Sequence, residues 1–141
     1  NTSSVQNMNS VFYNCSNLNN ISSFILDCSA CTDFVSAFYR CFRIPSITIS
    51  DTNLIPSFEE SFFNCSNLTT LTLDCNSCTS LKSAFNQCFG IETINLLNTG
   101  SIETMERAFS SCEELNSPIT ITSTVLNNLN RAFDSCEKKQ Q

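Results

Sequence analysis

The chain has 141 residues, of which 41% are hydrophobic, so it is long enough and apolar enough to fold around one core. Its formal net charge is −6 and only seven residues are Lys or Arg, so we expect no binding to nucleic acid, which requires clustered cations. No apolar run approaches the roughly 20 residues that cross a bilayer, so we expect no membrane insertion by this segment.

One short phrase, Phe-x-x-Cys, recurs along the whole chain. Its phenylalanines are Phe12, Phe38, Phe62, Phe85, Phe109 and Phe133. They stand 26, 24, 23, 24 and 24 residues apart. A nearly constant period in the twenties is typical of a stacked solenoid. We therefore expect residues 1–141 to form a single repeat domain of about six coils, each centred on one of these rings, and to be a fragment of a longer protein.

The residues after each cysteine predict a short strand. In the second coil the apolar residues are Ile44, Ile47 and Ile49, and the third and fourth coils keep the same spacing. Alternation of branched apolar residues with Thr or Asn is typical of a strand with one buried face. The first coil carries about three extra residues, and in the fifth Pro118 displaces the strand so that Ile119 and Ile121 face inward. Both irregularities suggest a bulge.

The residues around each phenylalanine predict a short helix. In the fourth coil Leu81, Ala84, Phe85 and Cys88 fall at positions i, i+3, i+4 and i+7, one stripe of an α-helix. The same stripe recurs in the fifth and sixth coils. The expected N-caps are Thr79 or Ser80, and Ser101. The predicted fold class is therefore an α/β solenoid, with one strand and one short helix per coil and a parallel sheet along one face.

Two phrases carry a resemblance to a known family. The strand pattern L-x-x-L-x-L, together with "SAFNQCFGI" (83–91) and "RAFSSCEEL" (107–115), resembles the BspA-like (Treponema-type) leucine-rich repeat. The resemblance extends from about Val5 to Cys136, although glycine and proline are scarcer than in most such repeats. It implies coils of this length and a role in adhesion at a cell surface. A two-coil period is also visible: coils one and three share L-D-C-x-x-C, and coils two and four share S-A-F-x-x-C-F-x-I.

Ten cysteines raise the possibility of disulfides or a metal site. Six of them follow the phenylalanines and are expected to be small buried side chains. Helical layers pack about 8–10 Å apart, which would put these six beyond the reach of disulfide bonds. The other four form two C-x-x-C pairs, Cys28/Cys31 and Cys75/Cys78. We interpret them as structural thiols, with local disulfides as the first alternative and zinc as the second, because one coil separates the two pairs.

No catalytic chemistry is predicted. The chain lacks histidine, the usual general base, and its only two glycines, Gly90 and Gly100, cannot form a phosphate-binding loop. Carboxylate pairs such as Glu59-Glu60 and Glu113-Glu114 are typical of solvated surfaces. We therefore expect no enzyme activity, no catalytic residues, no cofactor and no bound metal.

The outward residues of successive strands predict a candidate binding face. It is uncharged and consists of Thr48, Thr70, Thr72, Thr93, Asn95 and Thr120. Solenoids bind their ligands on extended surfaces of this kind. The functional hypothesis is a non-catalytic recognition or adhesion module, extracellular or at a cell surface, that binds protein or glycan on a host or neighbouring cell. The alternative is a structural spacer or assembly domain, for example in a virion fibre or surface layer. The bland interpretation of these residues, that Thr and Asn keep an exposed β surface soluble, stays open.

Overall fold

In a computed structural model, which describes residues 1–18 and 22–136, regular elements are few and turns dominate. The strands are β1 (Phe24–Asp27), β2 (Ile47–Ser50), β3 (Thr70–Asp74) and β4 (Thr93–Leu97). Two short 3₁₀ turns, Thr52–Leu54 and Thr99–Ser101, follow β2 and β4.

The strands form two separate parallel pairs. β1 pairs with β2, with Phe24 opposite Ile47, and β3 pairs with β4, with Thr70 opposite Thr93. No ladder joins β2 to β3 in the described chain. The predicted single parallel sheet along one face is therefore wrong: within residues 1–18 and 22–136 only coils one to four supply a strand, and these strands associate in twos.

The helical half of the prediction is also wrong. The residues around each phenylalanine form consecutive β-turns, and the described residues contain no α-helix. Since there is no helix, Thr79, Ser80 and Ser101 are not N-caps: Ser80 forms isolated parallel bridges with Ser57 and Thr104, and Ser101 ends a 3₁₀ turn.

The turns arise from left-handed residues placed on both sides of each phenylalanine. In every coil the residues two before and two after the ring have φ between 52° and 62°. The pairs are Ser10 and Asn14, Ser36 and Arg40, Glu60 and Asn64, Ser83 and Gln87, Arg107 and Ser111, Arg131 and Ser135. None is β-branched, in agreement with the steric cost of this conformation for branched side chains. A helix cannot continue through such residues, because their φ has the wrong sign.

Backbone hydrogen bonds in these turns alternate between two directions. The N–H groups of Ala37 and Cys41 donate within the turn, to the carbonyls of Phe34 and Phe38 at 3.2 and 3.1 Å. The N–H of Phe38 donates instead to the carbonyl of Ser61 in the next coil, at 2.8 Å. Coils are thus joined by direct backbone bonds, at a spacing close to that of β-strands rather than that of packed helices.

The six phenylalanines form one continuous column, as the repeat predicted. Neighbouring rings are stacked, with centroids 5.0 to 5.9 Å apart and interplanar angles of 4° to 26°. The rings of Phe38, Phe62, Phe85 and Phe109 are completely buried, whereas those of Phe12 and Phe133 at the two ends are partly buried. The predicted stripe Leu81, Ala84, Phe85 and Cys88 is buried in full, although it does not lie on a helix.

The bulge predicted in coil five is not found, and the one predicted in coil one falls partly outside the described residues. The extra residues of coil one include 19–21, which lie outside the described residues. In coil five Ile119 and Ile121 pack partly buried against the core, as expected, but residues 117–123 form no strand and so have no ladder in which to bulge.

Coils of two kinds alternate, in step with the pairing of the strands. After β2 and β4, and at the N-terminus, the chain carries Asp/Asn-Thr, at Asn1-Thr2, Asp51-Thr52 and Asn98-Thr99. The Thr52 hydroxyl donates to the carbonyl of Asp74 at 3.0 Å and accepts its N–H at 2.7 Å. Thr2 makes the same two bonds to Asp27, and Thr99 accepts the N–H of Thr122 at 2.8 Å. A threonine hydroxyl therefore joins coils two and three at the end of β3, where no ladder joins their strands.

One glycine is required by a close approach between coils. A Cβ at Gly90 would lie 2.6 Å from the backbone oxygen of Ser66, whereas a Cβ at Gly100 would meet nothing within 4 Å. We expect Gly90→Ala to lower the free energy of unfolding by about 1–2 kcal/mol, because backbone must move to admit the methyl group. Urea denaturation measures this loss. Gly100→Ala is the matched control and should leave stability within about 0.5 kcal/mol; equal losses would contradict the assignment.

Candidate binding face

All six residues of the predicted face are exposed. Thr48 lies in β2, Thr70 and Thr72 in β3, and Thr93 and Asn95 in β4. Thr120 is exposed but lies outside any strand, because coil five forms none among its described residues.

Strand alternation fixes the direction of these side chains. Leu71 and Leu73 of β3 are almost fully buried, so the residues between and before them point to the opposite side. In the register of β3 and β4, Thr70 stands opposite Thr93 and Thr72 opposite Asn95. The structure therefore brings these four hydroxyl and amide groups together on one small parallel sheet.

Ile25 belongs to the same surface and was missed by the sequence prediction. It lies on β1 opposite Thr48 and is 79% exposed. The irregular length of coil one hides its register in the sequence. The side chain of Ile25 therefore adds one apolar group to the edge of the otherwise polar face.

A groove interrupts the face where the two sheets part. It encloses about 190 Å³ between β2 and β3. Its lining is uncharged and consists of Ser46, Ile47, Thr48, Ile49, Thr70, Leu71 and Thr72. Three of the six predicted face residues, Thr48, Thr70 and Thr72, thus line a single cavity.

Backbone polar groups also face this groove. In a parallel ladder, successive residues direct their N–H and C=O groups alternately to the two neighbouring strands. Ser46 and Ser50 accept hydrogen bonds from coil one, so Ile47 and Ile49 direct their backbone groups towards β3. The N–H of Cys75 donates to the carbonyl of Leu97, on the β4 side. Because the direction alternates along the strand, the backbone groups of Thr70 and Thr72 point the other way, towards β2. Since no ladder joins β2 to β3, these groups border the groove rather than a paired strand.

Five of the six cysteines of the column have a polar role that the sequence did not reveal. The thiols of Cys41, Cys65, Cys88, Cys112 and Cys136 each donate to the carbonyl oxygen of the phenylalanine in the preceding coil, at 2.8 to 3.1 Å. Burial raises the pKa of the Cys41 thiol to about 12 and that of the Cys65 thiol well above its ordinary value, so both stay protonated donors at neutral pH.

The spacing between layers that was predicted for the column cysteines is wrong. Because the layers are not helices, the distance of about 8–10 Å expected between them does not apply, and spacing does not keep the column thiols apart. All ten cysteines lie in the described residues and none forms a disulfide in the structure; nine of them are buried.

The two C-x-x-C pairs lie in equivalent tight turns after β1 and β3. The N–H of Cys31 donates to the carbonyl of Cys28 at 2.8 Å, and that of Cys78 to Cys75 at 3.0 Å. Burial raises the pKa of the Cys28 thiol to about 12. Within the described part of the chain, no three His, Cys, Asp or Glu side chains cluster as a metal site would require.

Among residues 1–18 and 22–136 no helix has the length and apolarity needed to cross a membrane.

Comparison with known proteins identifies the repeat. The family described as "BspA type leucine rich repeat region" matches six copies, over residues 2–116 and 35–141. No curated protein and no solved structure matches the chain. Together the two matched ranges cover nearly every residue, and they include all six phenylalanine–cysteine phrases. The chain therefore belongs to the BspA-type leucine-rich repeat family.

Proposed function

We propose that this chain is a non-catalytic recognition module that acts outside the cell or on its surface and binds protein or glycan through its uncharged strand face. Proteins of this family are typically extracellular or surface-bound, and their repeats are typically non-catalytic. In this proposal the six coils form one solenoid, and the coil-to-coil bonds hold the face rigid for binding.

The observation that carries the proposal is the groove between β2 and β3. A cavity of about 190 Å³ corresponds to roughly six water molecules, a size suited to one sugar ring or one small protein side chain. Threonine hydroxyls and backbone N–H and C=O groups supply donors and acceptors around it, and Ile47, Ile49 and Leu71 supply apolar contact.

Charge favours a neutral partner. No charged residue lines the groove, and the predicted face contains only Thr and Asn. An anionic ligand would find no cation there, and the chain as a whole carries a net charge of −6. Hydroxyl-rich neutral glycans, or uncharged segments of a protein, match this surface.

Simultaneous substitution of Thr48, Thr72, Asn95 and Thr120 by lysine tests the proposal. The parent protein is applied to an array of glycans and to an array of purified extracellular-matrix proteins, and the captured ligand is titrated. We expect the quadruple variant to lose at least about tenfold in affinity, because four long cations replace the hydroxyl and amide groups of the face. Circular dichroism verifies that the variant is folded.

A charge-matched control separates surface chemistry from net charge. Lysine at Gln6, Asn67, Asn116 and Asn130, which are exposed and lie outside the four strands, adds the same four charges and should leave capture unchanged. Equal losses in both variants would reject the face. Absence of capture by the parent protein on both arrays would favour a structural spacer or assembly role.

A further inference from the structure

The two C-x-x-C turns bring their thiols together in the same way twice. Each is closed by a backbone hydrogen bond from the fourth residue to the first, so the two Cα atoms lie within the span of a β-turn, below about 7 Å. That span overlaps the range of about 4.4–6.8 Å that a disulfide needs. The two thiols of each pair also influence each other: burial and then the neighbouring Cys31 thiol raise the pKa of Cys28, and the neighbouring Cys78 thiol raises that of Cys75.

Coil five shows that this position does not require cysteine for packing. Its residues Ser123 and Leu126 occupy the places of Cys75 and Cys78. The hydrogen bonds of the threonine hydroxyls show this equivalence, because Thr52 binds the residue before Cys75 and Thr99 binds the residue before Ser123. Leu126 packs partly buried against the core, and the Ser123 hydroxyl donates to the carbonyl of Ile102 at 2.6 Å. The turn thus folds with one small polar and one apolar side chain, and the paired thiols of coils one and three call for another explanation.

The pairs also differ from the column cysteines. Each column thiol from Cys41 to Cys136 is bonded to a phenylalanine carbonyl of the preceding coil, which commits it to a contact between coils. Within the pairs, the second thiol donates to the backbone two residues further on, at 3.4 Å for Cys31 and 3.3 Å for Cys78. The Cys31 thiol also interacts with the backbone of Met8, and the Cys78 thiol with that of Phe58, so the pairs have contacts with a neighbouring coil in addition to those within their own turns.

We infer that Cys28 with Cys31, and Cys75 with Cys78, are sites of disulfide formation, while the column cysteines stay reduced. In each pair two S–H bonds break and one S–S bond forms. Two electrons and two protons pass to a disulfide oxidant, such as oxidised glutathione or a protein disulfide, whose S–S bond is reduced to two thiols. The intermediate is a mixed disulfide between the oxidant and one cysteine of the pair.

The two disulfides form while the chain folds, and not in the folded protein. All four sulfurs are completely buried, so an oxidant cannot reach them once neighbouring coils have stacked. The attacking species is a thiolate, and the raised pKa values of Cys28, Cys31 and Cys75 disfavour it in the folded chain. The pair closes a loop of only four residues, so the two cysteines meet in the unfolded chain before any contact between coils is made.

Disulfide mapping tests the inference on the whole chain. The reduced, unfolded protein is refolded in a mixture of reduced and oxidised glutathione. It is then denatured and its free thiols are blocked with N-ethylmaleimide, after which it is reduced and labelled with iodoacetamide. Peptide mass spectrometry should find the iodoacetamide label on Cys28, Cys31, Cys75 and Cys78, and N-ethylmaleimide on the six column cysteines. The intact protein should have lost four hydrogen atoms.

A variant supplies the matched control. Cys28→Ser with Cys31→Leu installs the residues that coil five uses and should lose the first disulfide while keeping the second. Blocking of all ten cysteines by N-ethylmaleimide, a bond between a column pair, or a bond from coil one to coil three would each overturn the inference. If the variant does not fold, the label pattern of the parent protein decides alone.

Discussion

Replacing Phe85 by alanine should lower the free energy of unfolding by about 3–5 kcal/mol. The ring is completely buried and stacks between Phe62 and Phe109, with centroids 5.4 and 5.5 Å away. Its removal leaves a cavity in the middle of the column, and the flanking coils cannot close it because backbone hydrogen bonds hold them at a fixed spacing. Urea unfolding followed by circular dichroism measures the loss.

Phe89→Ala is the matched control for this substitution. Phe89 lies four residues further on in the same coil but is 39% exposed. Its truncation should cost less than about 1 kcal/mol, because less apolar surface leaves the interior. Comparable losses for the two variants would show that the column is not the main source of stability.

Replacing Thr52 by valine should cost about 2–4 kcal/mol. Valine has nearly the same shape, but it can neither donate to the carbonyl of Asp74 nor accept its N–H, and two hydrogen bonds at about 1–2 kcal/mol each are lost. Thr52 is only 1% exposed, so water cannot easily substitute for its hydroxyl. The measurement is again the free energy of unfolding in urea.

Thr72→Val provides the comparison, because Thr72 is exposed and lies on β3, beside the strand end that Thr52 binds. It should change stability by no more than about 0.5 kcal/mol. A Thr52→Val protein as stable as its parent would mean that the hydroxyl does not join coils two and three.

The core of this protein could be predicted from the sequence, but its backbone could not. The spacing of Leu81, Ala84, Phe85 and Cys88 identifies inward-facing residues, and all four are buried. That spacing does not identify a helix, because consecutive turns with alternating left-handed residues place the same positions on the inside. The residues that decide between the two, such as Ser83 and Gln87, are ordinary helix-compatible types, so nothing in their identity reveals a positive φ.

The candidate binding face, too, was predictable from the sequence only in part. Alternation with Leu71 and Leu73 was enough to predict that Thr70 and Thr72 are exposed. The groove was not predictable from strand patterns, since it results from a ladder that fails to form between β2 and β3. One signal was available: Asp/Asn-Thr recurs after every second strand, but two polar residues in a chain rich in Ser, Thr and Asn are easily overlooked.

The alternation of the two kinds of coil restricts how such a protein can change its length. If a single coil were deleted, two C-x-x-C turns would become neighbours, or two threonine turns would. In the first case the amide of Asp74 would lose the hydroxyl of Thr52 that accepts its hydrogen bond, and in the second the hydroxyl of Thr52 would be buried without its partner. Duplication or loss of coils two at a time would keep every such bond, so we expect chains of this kind to change length by pairs of coils.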